Sequence, residues 1–301
     1  MKKALDLPAV AALIVLCASW GMNQVAIKVA LSGMPPAFLM GARSLVAALL
    51  VLLWCVLRHQ PIFRADRTLW PGLLVGLLFA GEFLVLFWGL QRTTASRAVV
   101  FLYLAPFVVA VGGHFWLGER LGLVKLSGLV CAFLGLVLAF SDQLFAPSDA
   151  TALGDVLCFG AAILWGLTIV LIKGTALAQA PAEKTLLYQL VVSALAGFAL
   201  SLALGERVDA GAAASVLPAF LYQAVWVAAI TYVAWFGLIR DYPASLLTSF
   251  TFLTPLFGVG FGAAILGESV TPSLLAALLL VAAGIYLVNR SPGRHVATEA
   301  A

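Results

Sequence analysis

The sequence predicts an all-α integral membrane protein with ten transmembrane helices, arranged as two inverted five-helix repeats. The 301-residue chain is 63% hydrophobic and only 10% charged, whereas a soluble domain carries roughly 25% charged residues. Its mean hydropathy is +1.10. Its apolar runs have the length of about 20 residues that a hydrocarbon core about 30 Å thick requires. In addition, one pattern of residues recurs 149 positions later in the chain.

Ten apolar runs follow one another with short connections, so consecutive helices should be antiparallel neighbours. The first run follows Lys2 and Lys3, but it is longer than the core of a signal peptide and has no convincing cleavage site, so we keep it as a span. The predicted spans are residues 7–30, 36–57, 70–91, 94–116, 122–141, 154–173, 182–204, 215–238, 244–266 and 272–289.

The basic residues indicate the orientation of the chain. With the N-terminus inside, twelve of the 17 Lys and Arg residues lie on the inner side and four on the outer side, while Arg43 lies within a span. Cytoplasmic loops of membrane proteins carry an excess of Lys and Arg. We therefore expect both the N- and C-termini to be cytoplasmic.

The repeated pattern lies in the fourth span of each half. Residues 95–119 begin with Ala-Ser, are interrupted by Pro106 and end in Gly-Glu. Residues 244–268 show the same order around Pro255, with every matching residue displaced by 149 positions. A proline inside a helix removes a backbone hydrogen bond, so we expect a kink in each of these spans.

The repeat extends to the first span of each half. A Trp-Gly pair begins at Trp20 and at Trp165, and in both places a lysine follows eight positions after the tryptophan. Residues 1–145, with spans one to five, therefore match residues 146–301, with spans six to ten. Because five is odd, the second half is inverted in the membrane. Inverted repeats are a recurring plan of secondary transporters, whose binding site lies at the repeat interface near the midplane.

These features together resemble the EamA type of the drug/metabolite transporter superfamily, over nearly the whole chain. Within that superfamily the chain is most similar to YddG-type exporters of aromatic and other amino acids. The resemblance implies a multi-pass protein of the bacterial cytoplasmic (inner) membrane that functions as a monomer. It implies export of small, amino-acid-like solutes by alternating access, through a pathway lined by the first four helices of each half. It implies the lipid bilayer as surroundings, and neither a cofactor nor a nucleic-acid partner.

Two charged residues deep within spans are the first candidates for solute binding, since charges inside hydrocarbon are costly and rarely face lipid. Arg43 and Glu82 lie about 10 and 13 Å from the outer ends of spans two and three, at about 1.5 Å per residue. Two roles are open for them. They could form a structural ion pair, or they could contact the carboxylate or ammonium of a solute.

Aromatic and polar side chains supply the other candidates, each of which could also be a core residue. Asn23 and Thr168 follow Trp20 and Trp165 by three positions, which places each pair on one helical face. The full set of candidate solute-binding residues is Trp20, Asn23, Arg43, Glu82, Tyr103, Trp165, Thr168, Tyr188, Gln189, Trp226 and Tyr232.

The remaining polar groups suggest structural roles. Glu119 and Glu268 stand where helices end, and we interpret them as turn and helix-packing residues. His114 is interpreted as a helix-end residue. The four cysteines lie inside apolar runs without the spacing of a metal site, so we predict neither a disulfide nor a bound metal.

Several functional alternatives can be weighed. An exporter of another substrate class, such as cationic drugs or nucleotide sugars, stays open. An enzyme is disfavoured because the sequence has no metal-binding cluster, phosphate-binding glycine loop or paired carboxylates within one span. A scaffold protein would not need inverted symmetry. Since a neighbouring Arg43 would keep the Glu82 carboxylate charged, we expect a carrier that works down the solute gradient or by exchange.

Overall fold

The computed structural model describes residues 5–60, 62, 66–93, 95–145, 152–266 and 272–290. These residues form helices and connecting turns, with no β-strand among them. The helices of the first half are α1 (Leu7–Leu31), α2 (Pro36–Leu57), α3 (Leu69–Leu90), α4 (Ala95–Leu102), α5 (Ala105–Trp116), α6 (Leu123–Ala139) and α7 (Ser141–Phe145).

The second half follows the same plan. Its α-helices are α8 (Ala152–Gly174), α9 (Ala182–Ala203), α10 (Ala210–Ser215), α11 (Leu217–Leu221), α12 (Tyr232–Asp241), α13 (Ala244–Phe250), α14 (Leu253–Leu266) and α15 (Pro272–Arg290). Within the described ranges, six helices are long and apolar enough to cross a membrane, and four shorter apolar helices occupy the remaining predicted spans. The predicted all-helical membrane fold is thereby confirmed.

The predicted kinks in spans four and nine are breaks between two helices. A two-residue turn separates α4 from α5, and another separates α13 from α14. Pro106 and Pro255 lie in the first turn of α5 and α14, where a missing N–H removes no helical hydrogen bond. The first of these turns contains Tyr103.

Span eight changes helix type along its length. Between α11 and α12 the chain forms a π-helix of 10 residues, Tyr222–Thr231. π-Helical stretches are usually single turns inside α-helices and are frequent at functional sites. The wider turn changes the direction in which side chains of this segment point, relative to the spacing of an α-helix.

The first helix of each half packs against the fourth span of the other half. Gly21 in α1 lies against α14, where an added Cβ would be 2.6 Å from the Thr254 carbonyl oxygen. Gly166 in α8 lies against α5, where an added Cβ would be 2.6 Å from the Val108 Cβ. The repeated Trp-Gly pair therefore has a structural reason, because only glycine permits these helices to approach so closely.

Two contacts join residues that are 149 positions apart, which is the displacement of the repeat. Ser44 Oγ donates a hydrogen bond to Ser193 Oγ at 3.1 Å, between α2 and α9. Cys131 Sγ lies 3.4 Å from the Leu280 carbonyl oxygen, between α6 and α15. Both contacts therefore join positions that the sequence repeat aligns with each other.

Candidate functional site

A cavity lies between the two halves and contains about 730 Å³ of space free of protein atoms, part of it open to solvent. Half of its lining residues are aromatic, and among its lining residues in the described ranges none comes from α6 or α15. The lining residues are Trp20, Asn23, Ile27, Phe79, Glu82, Phe83, Leu86, Leu102, Tyr103, Trp165, Thr168, Ile169, Gln189, Tyr232, Trp235 and Phe236.

Four helices each contribute one face to this wall. On α3 the lining residues Phe79, Glu82, Phe83 and Leu86 follow the spacing i, i+3, i+4, i+7 of a single helical face. The faces of α1, α8 and α12 have related spacings. Because each face is fixed by a packed helix, the wall is a preformed surface with a few polar groups in an apolar setting, as is typical of small-molecule sites.

Trp20 is held in place by contacts from the other half. Its Nε1 donates a hydrogen bond of 2.9 Å to Thr231 Oγ1, at the end of the π-helical segment. Its ring meets the rings of Trp235 and Tyr232 edge to face, with centroids 5.1 and 6.1 Å apart. On the opposite half, Trp165 makes a comparable edge contact with Tyr103 at 5.9 Å. Edge-to-face pairs of this kind fix ring orientation.

The structure brings most of the sequence-predicted site residues together. Three of the predicted residues, Arg43, Tyr188 and Trp226, are absent from the lining of the cavity. The eight predicted residues that line it are Trp20, Asn23, Glu82, Tyr103, Trp165, Thr168, Gln189 and Tyr232.

Tyr188 points away from the cavity because its ring packs against Gly72 of α3. Its hydroxyl oxygen lies 3.2 Å from Thr68 Oγ1, and the residue lines a separate apolar groove with residues of α2 and α3. The next residue of α9, Gln189, faces a different direction around the helix and lines the cavity.

Trp226 also lies outside the cavity, for a different reason. It belongs to the π-helical segment, and its side chain is directed at α1. Its Nε1 donates to Ser19 Oγ at 3.0 Å, and 39% of the residue is exposed.

Arg43 is fully buried, with 0% of its surface exposed, and lies directly behind the cavity wall. Its guanidinium carbon is 3.9 Å from the centroid of the Phe83 ring. Within the described part of the chain, Nε, Nη1 and Nη2 all lack a hydrogen-bond partner. The ion pair between Arg43 and Glu82 that was anticipated as one of their roles is not formed. The guanidinium instead lies on the ring of Phe83, the residue after Glu82.

Polar contacts join the two halves at the predicted inner end. The Glu119 carboxylate accepts hydrogen bonds from Ser245 Oγ at 2.5 Å and from the Ala244 N–H at 3.3 Å. It also forms an ion pair with Lys125 at 3.3 Å. The carboxylate thus lies at the positive end of α13, where negative charge is stabilising. Glu268, its counterpart in the repeat, lies outside the described residues.

A second ion pair at this end joins the connection before α3 to α9. Lys184 Nζ lies 2.8 Å from Asp66 Oδ2, and Thr68 also donates to Asp66. The hydrogen bond from Lys184, followed by that from Thr68, lowers the pKa of Asp66 to about 2. The carboxylate therefore stays charged throughout the physiological range.

The predicted outer end has its own contacts between halves. Arg97 and Asp155 form an ion pair at 2.5 Å, and Thr93 Oγ1 donates to the same carboxylate at 2.7 Å. The Glu206 carboxylate accepts from the N–H groups of Ala37 and Phe38 at the start of α2, at 3.2 and 2.8 Å.

The sequence analysis missed several lining residues, chiefly Phe79, Phe83 and Trp235. A signal for them was present, since Phe79 lies three residues before Glu82 and Phe83 lies four residues after Phe79. Trp235 follows Tyr232 by three positions. Extending each polar candidate along its own helical face would have identified these aromatic neighbours.

Comparisons with known proteins agree with the fold and with the internal repeat. The profile of the EamA-like transporter family matches the chain twice, over residues 7–141 and 152–290. The "Uncharacterized transporter YvbV" of Bacillus subtilis is 30% identical over 279 residues, which cover 90% of this chain and 88% of the relative. A "Probable amino-acid metabolite efflux pump" of Salmonella typhimurium is 28% identical over 276 residues, covering 89% and 90%.

A solved structure shares the architecture. One crystal structure matches with a TM-score of 0.79 over 96% of this chain and 99% of that chain, at 17% sequence identity. Because that sequence identity is low, the structural similarity supports the fold alone. The two profile matches, by contrast, span nearly all of the sequence, and the chain belongs to the EamA-like transporter family.

Proposed function

We propose that this protein is a secondary transporter that exports small amphiphilic metabolites across the bacterial cytoplasmic membrane, with amino acids, aromatic and apolar ones included, as its solutes. The observation that carries the proposal is the cavity between the halves, in which aromatic faces surround Asn23, Glu82 and Gln189. An apolar side chain fits the aromatic wall, and a charged or polar head fits the few polar groups.

The polar groups of the cavity support a solute of this kind. Asn23 Oδ1 and Gln189 Oε1 are buried acceptors without a hydrogen-bond partner in the described ranges. Buried polar atoms are normally hydrogen-bonded, so a bound solute that donates hydrogen bonds would satisfy them. The relative from Salmonella typhimurium, by its name an amino-acid metabolite efflux pump, supports the same class.

We propose that transport occurs by alternating access between two inverted halves, residues 1–145 and 146–301. The exchange of packing partners between halves, α1 with α14 and α8 with α5, supports a two-fold relation. Contacts such as Glu119 with Ser245 join the halves at one end through hydrogen bonds that water can replace when that end opens. The narrower likeness to YddG-type exporters stays a prediction.

The topology and the assembly state belong to the same proposal. The distribution of basic residues supports cytoplasmic N- and C-termini. The relative named "Uncharacterized inner membrane transporter YedA" of Escherichia coli, 23% identical over 295 residues, supports the inner membrane. Because one chain forms the whole cavity, a monomer suffices for transport. Transport, and not catalysis, is the activity of the named relatives.

Flux measured in proteoliposomes tests the proposal. Purified protein would be reconstituted in liposomes loaded with labelled phenylalanine, leucine, threonine or lysine, and efflux would be compared with that from protein-free liposomes. We expect protein-dependent efflux of phenylalanine and leucine. Absence of flux for every amino acid, together with flux of a lipophilic cation or a nucleotide sugar, would contradict the proposal.

A lipophilic cation is the second candidate solute, and one observation favours it. Glu82 is the carboxylate that lines the cavity in the described ranges, and it stands between Phe79 and Phe83 on the same face. Carboxylates and aromatic faces both attract cations. Efflux of a quaternary ammonium dye that exceeds amino-acid efflux, and that is lost in Glu82→Gln, would favour this candidate.

A further inference from the structure

The guanidinium of Arg43 is a buried cation whose hydrogen-bond donors are unused. All three of its nitrogens lack a partner among the described residues, and the residue has no exposed surface. The face of the Phe83 ring, 3.9 Å away, gives the guanidinium a compensating contact. A buried charge without hydrogen bonds is strongly unfavourable and calls for an explanation, which a ligand that accepts hydrogen bonds would supply. The three guanidinium nitrogens of Arg43 are therefore donors that a bound acceptor would satisfy.

Arg43 lies at the same depth as two acceptors of the cavity. It is seven residues from the start of α2 at Pro36, or about 10 Å at 1.5 Å per residue. Glu82 is eight residues from the end of α3, and Asn23 is eight residues from the end of α1, or about 12 Å in both cases. These three helix ends lie on the same side of the bundle, because consecutive spans are antiparallel.

The Phe83 side chain contacts both Arg43 and the cavity. Its ring lines the cavity, and its face supports the guanidinium. Glu82, the residue before it, lines the cavity without a direct ion pair to Arg43. The structure thus holds a guanidinium and a carboxyl group that are not paired with each other, with the Phe83 ring in contact with the guanidinium and lining the same cavity as the carboxyl group.

We propose that Arg43, Glu82 and Asn23 form a subsite for the head group of an α-amino acid, which opens when the Phe83 ring moves aside. Arg43 binds the carboxylate, and Glu82 together with Asn23 Oδ1 binds the ammonium. This subsite rests on the proposed function and specifies which part of the solute is recognised. The planar guanidinium fork matches a carboxylate with two parallel hydrogen bonds.

Charge balance selects a zwitterion for this subsite. A solute with only a carboxylate would satisfy Arg43 but would add a second negative charge near Glu82. A solute with only an ammonium would satisfy Glu82 but would leave the guanidinium unpaired. A zwitterion pairs both groups and leaves the buried site with no additional net charge, which matters in an environment that solvates ions poorly.

Binding of three related compounds tests the subsite. They are phenylalanine, phenethylamine, which lacks the carboxylate, and 3-phenylpropanoate, which lacks the ammonium. Binding is followed by tryptophan fluorescence, since Trp20, Trp165 and Trp235 line the cavity. In the wild type we expect phenylalanine to bind about 10- to 100-fold more tightly than phenethylamine, the range expected for hydrogen bonds to a charged group.

Variants then assign the effect to Arg43. In Arg43→Met the ratio between phenylalanine and phenethylamine should fall to about one, with phenethylamine affinity unchanged, while Arg43→Lys should keep part of the ratio. Arg58→Met is the matched control, because Arg58 also lies over a ring, that of Trp54 at 4.6 Å, but is exposed at the end of the same helix. This control should keep the wild-type ratio.

Two results would overturn the subsite. One is a folded Arg43→Met that keeps the wild-type ratio. The other is a Glu82→Gln variant that prefers phenylalanine over 3-phenylpropanoate as strongly as the wild type does. This second result also tests the subsite if Arg43→Met does not fold. Failure of the wild type to bind or transport any amino acid would instead refute the proposed function, so the two failures can be distinguished.

Discussion

The contact between α2 and α9 gives a prediction whose size follows from the structure. Gly197 of α9 lies so close to α2 that an added Cβ would be 2.6 Å from the Gly41 amide nitrogen and 2.9 Å from the Ala37 carbonyl oxygen. Both atoms belong to the backbone and cannot rotate away. In Gly197→Ala the two helices must therefore separate by about 0.8 Å to restore an ordinary contact of 3.4 Å.

Such overpacking typically costs about 1–3 kcal/mol of unfolding free energy. Since each kcal/mol shifts Tm by roughly 2–4 °C in a chain of this size, we expect Tm to fall by about 2–12 °C. The assay is thermal unfolding of purified protein in one detergent, followed by tryptophan fluorescence.

Gly237→Ala serves as the matched control for this prediction. Gly237 lies inside α12, and nothing stands within 4 Å of an added Cβ. Alanine favours a helix over glycine by roughly 0.5–1 kcal/mol, so the Tm of this variant should stay level or rise. A Gly197→Ala variant as stable as Gly237→Ala would refute the close packing of α2 on α9.

Three further predictions follow from the charged groups. Without solute, the Tm of Arg43→Met in thermal unfolding should equal or exceed that of the wild type, because an apolar side chain removes the desolvation cost of a buried unpaired charge. A large fall in Tm would show that Arg43 stabilises the fold. The folded-state pKa of Asp66, about 2, lies below its ordinary value of 3.8. The charged Asp66 carboxylate therefore contributes its whole stabilisation at pH values above 3.8, and this contribution is lost as the pH falls through about 2. The Tm difference between wild type and Asp66→Asn should accordingly be constant from about pH 8 to 5, and a difference that shrinks within that window would contradict the Lys184 contact. Proteoliposome flux should not be driven by an imposed pH gradient, because a zwitterionic solute would pair with both Arg43 and Glu82 and needs no proton to accompany it; strong accumulation that follows the gradient and vanishes in folded Glu82→Gln would identify Glu82 as a proton carrier.

The fold was largely predictable because its causes are local to the sequence. Apolar length determines which segments cross a membrane, and the recurrence at 149 positions aligns the two halves. The Trp-Gly pairs, identified only as markers of the repeat, lie where Gly21 and Gly166 allow close helix packing. The prolines marked the positions of the breaks in spans four and nine, although the sequence did not distinguish a kink from a complete break.

The misplaced site residues depend on features that no local pattern reports. The direction of the Tyr188 side chain depends on its packing against Gly72 of another helix, which the local sequence around Tyr188 does not indicate. Trp226 lies in a π-helical segment, and no local sequence pattern indicated that departure from α-helical geometry. The depth of Arg43 and Glu82 was estimated from helix length alone, which cannot show that the Phe83 ring takes the place of an ion pair.

Accessibility of Leu102 tests most directly whether the cavity is the transport site. Leu102 lines the cavity at the end of α4, and Leu102→Cys would be made after replacing the four natural cysteines. Gln60→Cys and Gln91→Cys, both at exposed positions at opposite ends of spans, mark the two membrane faces. With a membrane-impermeant thiol reagent, we predict that Leu102→Cys reacts from either face of the membrane, whereas each marker reacts from one face only. The amino acid with the largest flux should slow the reaction of Leu102→Cys. Reaction of Leu102→Cys from a single face, or at a rate that the transported amino acid does not change, would contradict the account.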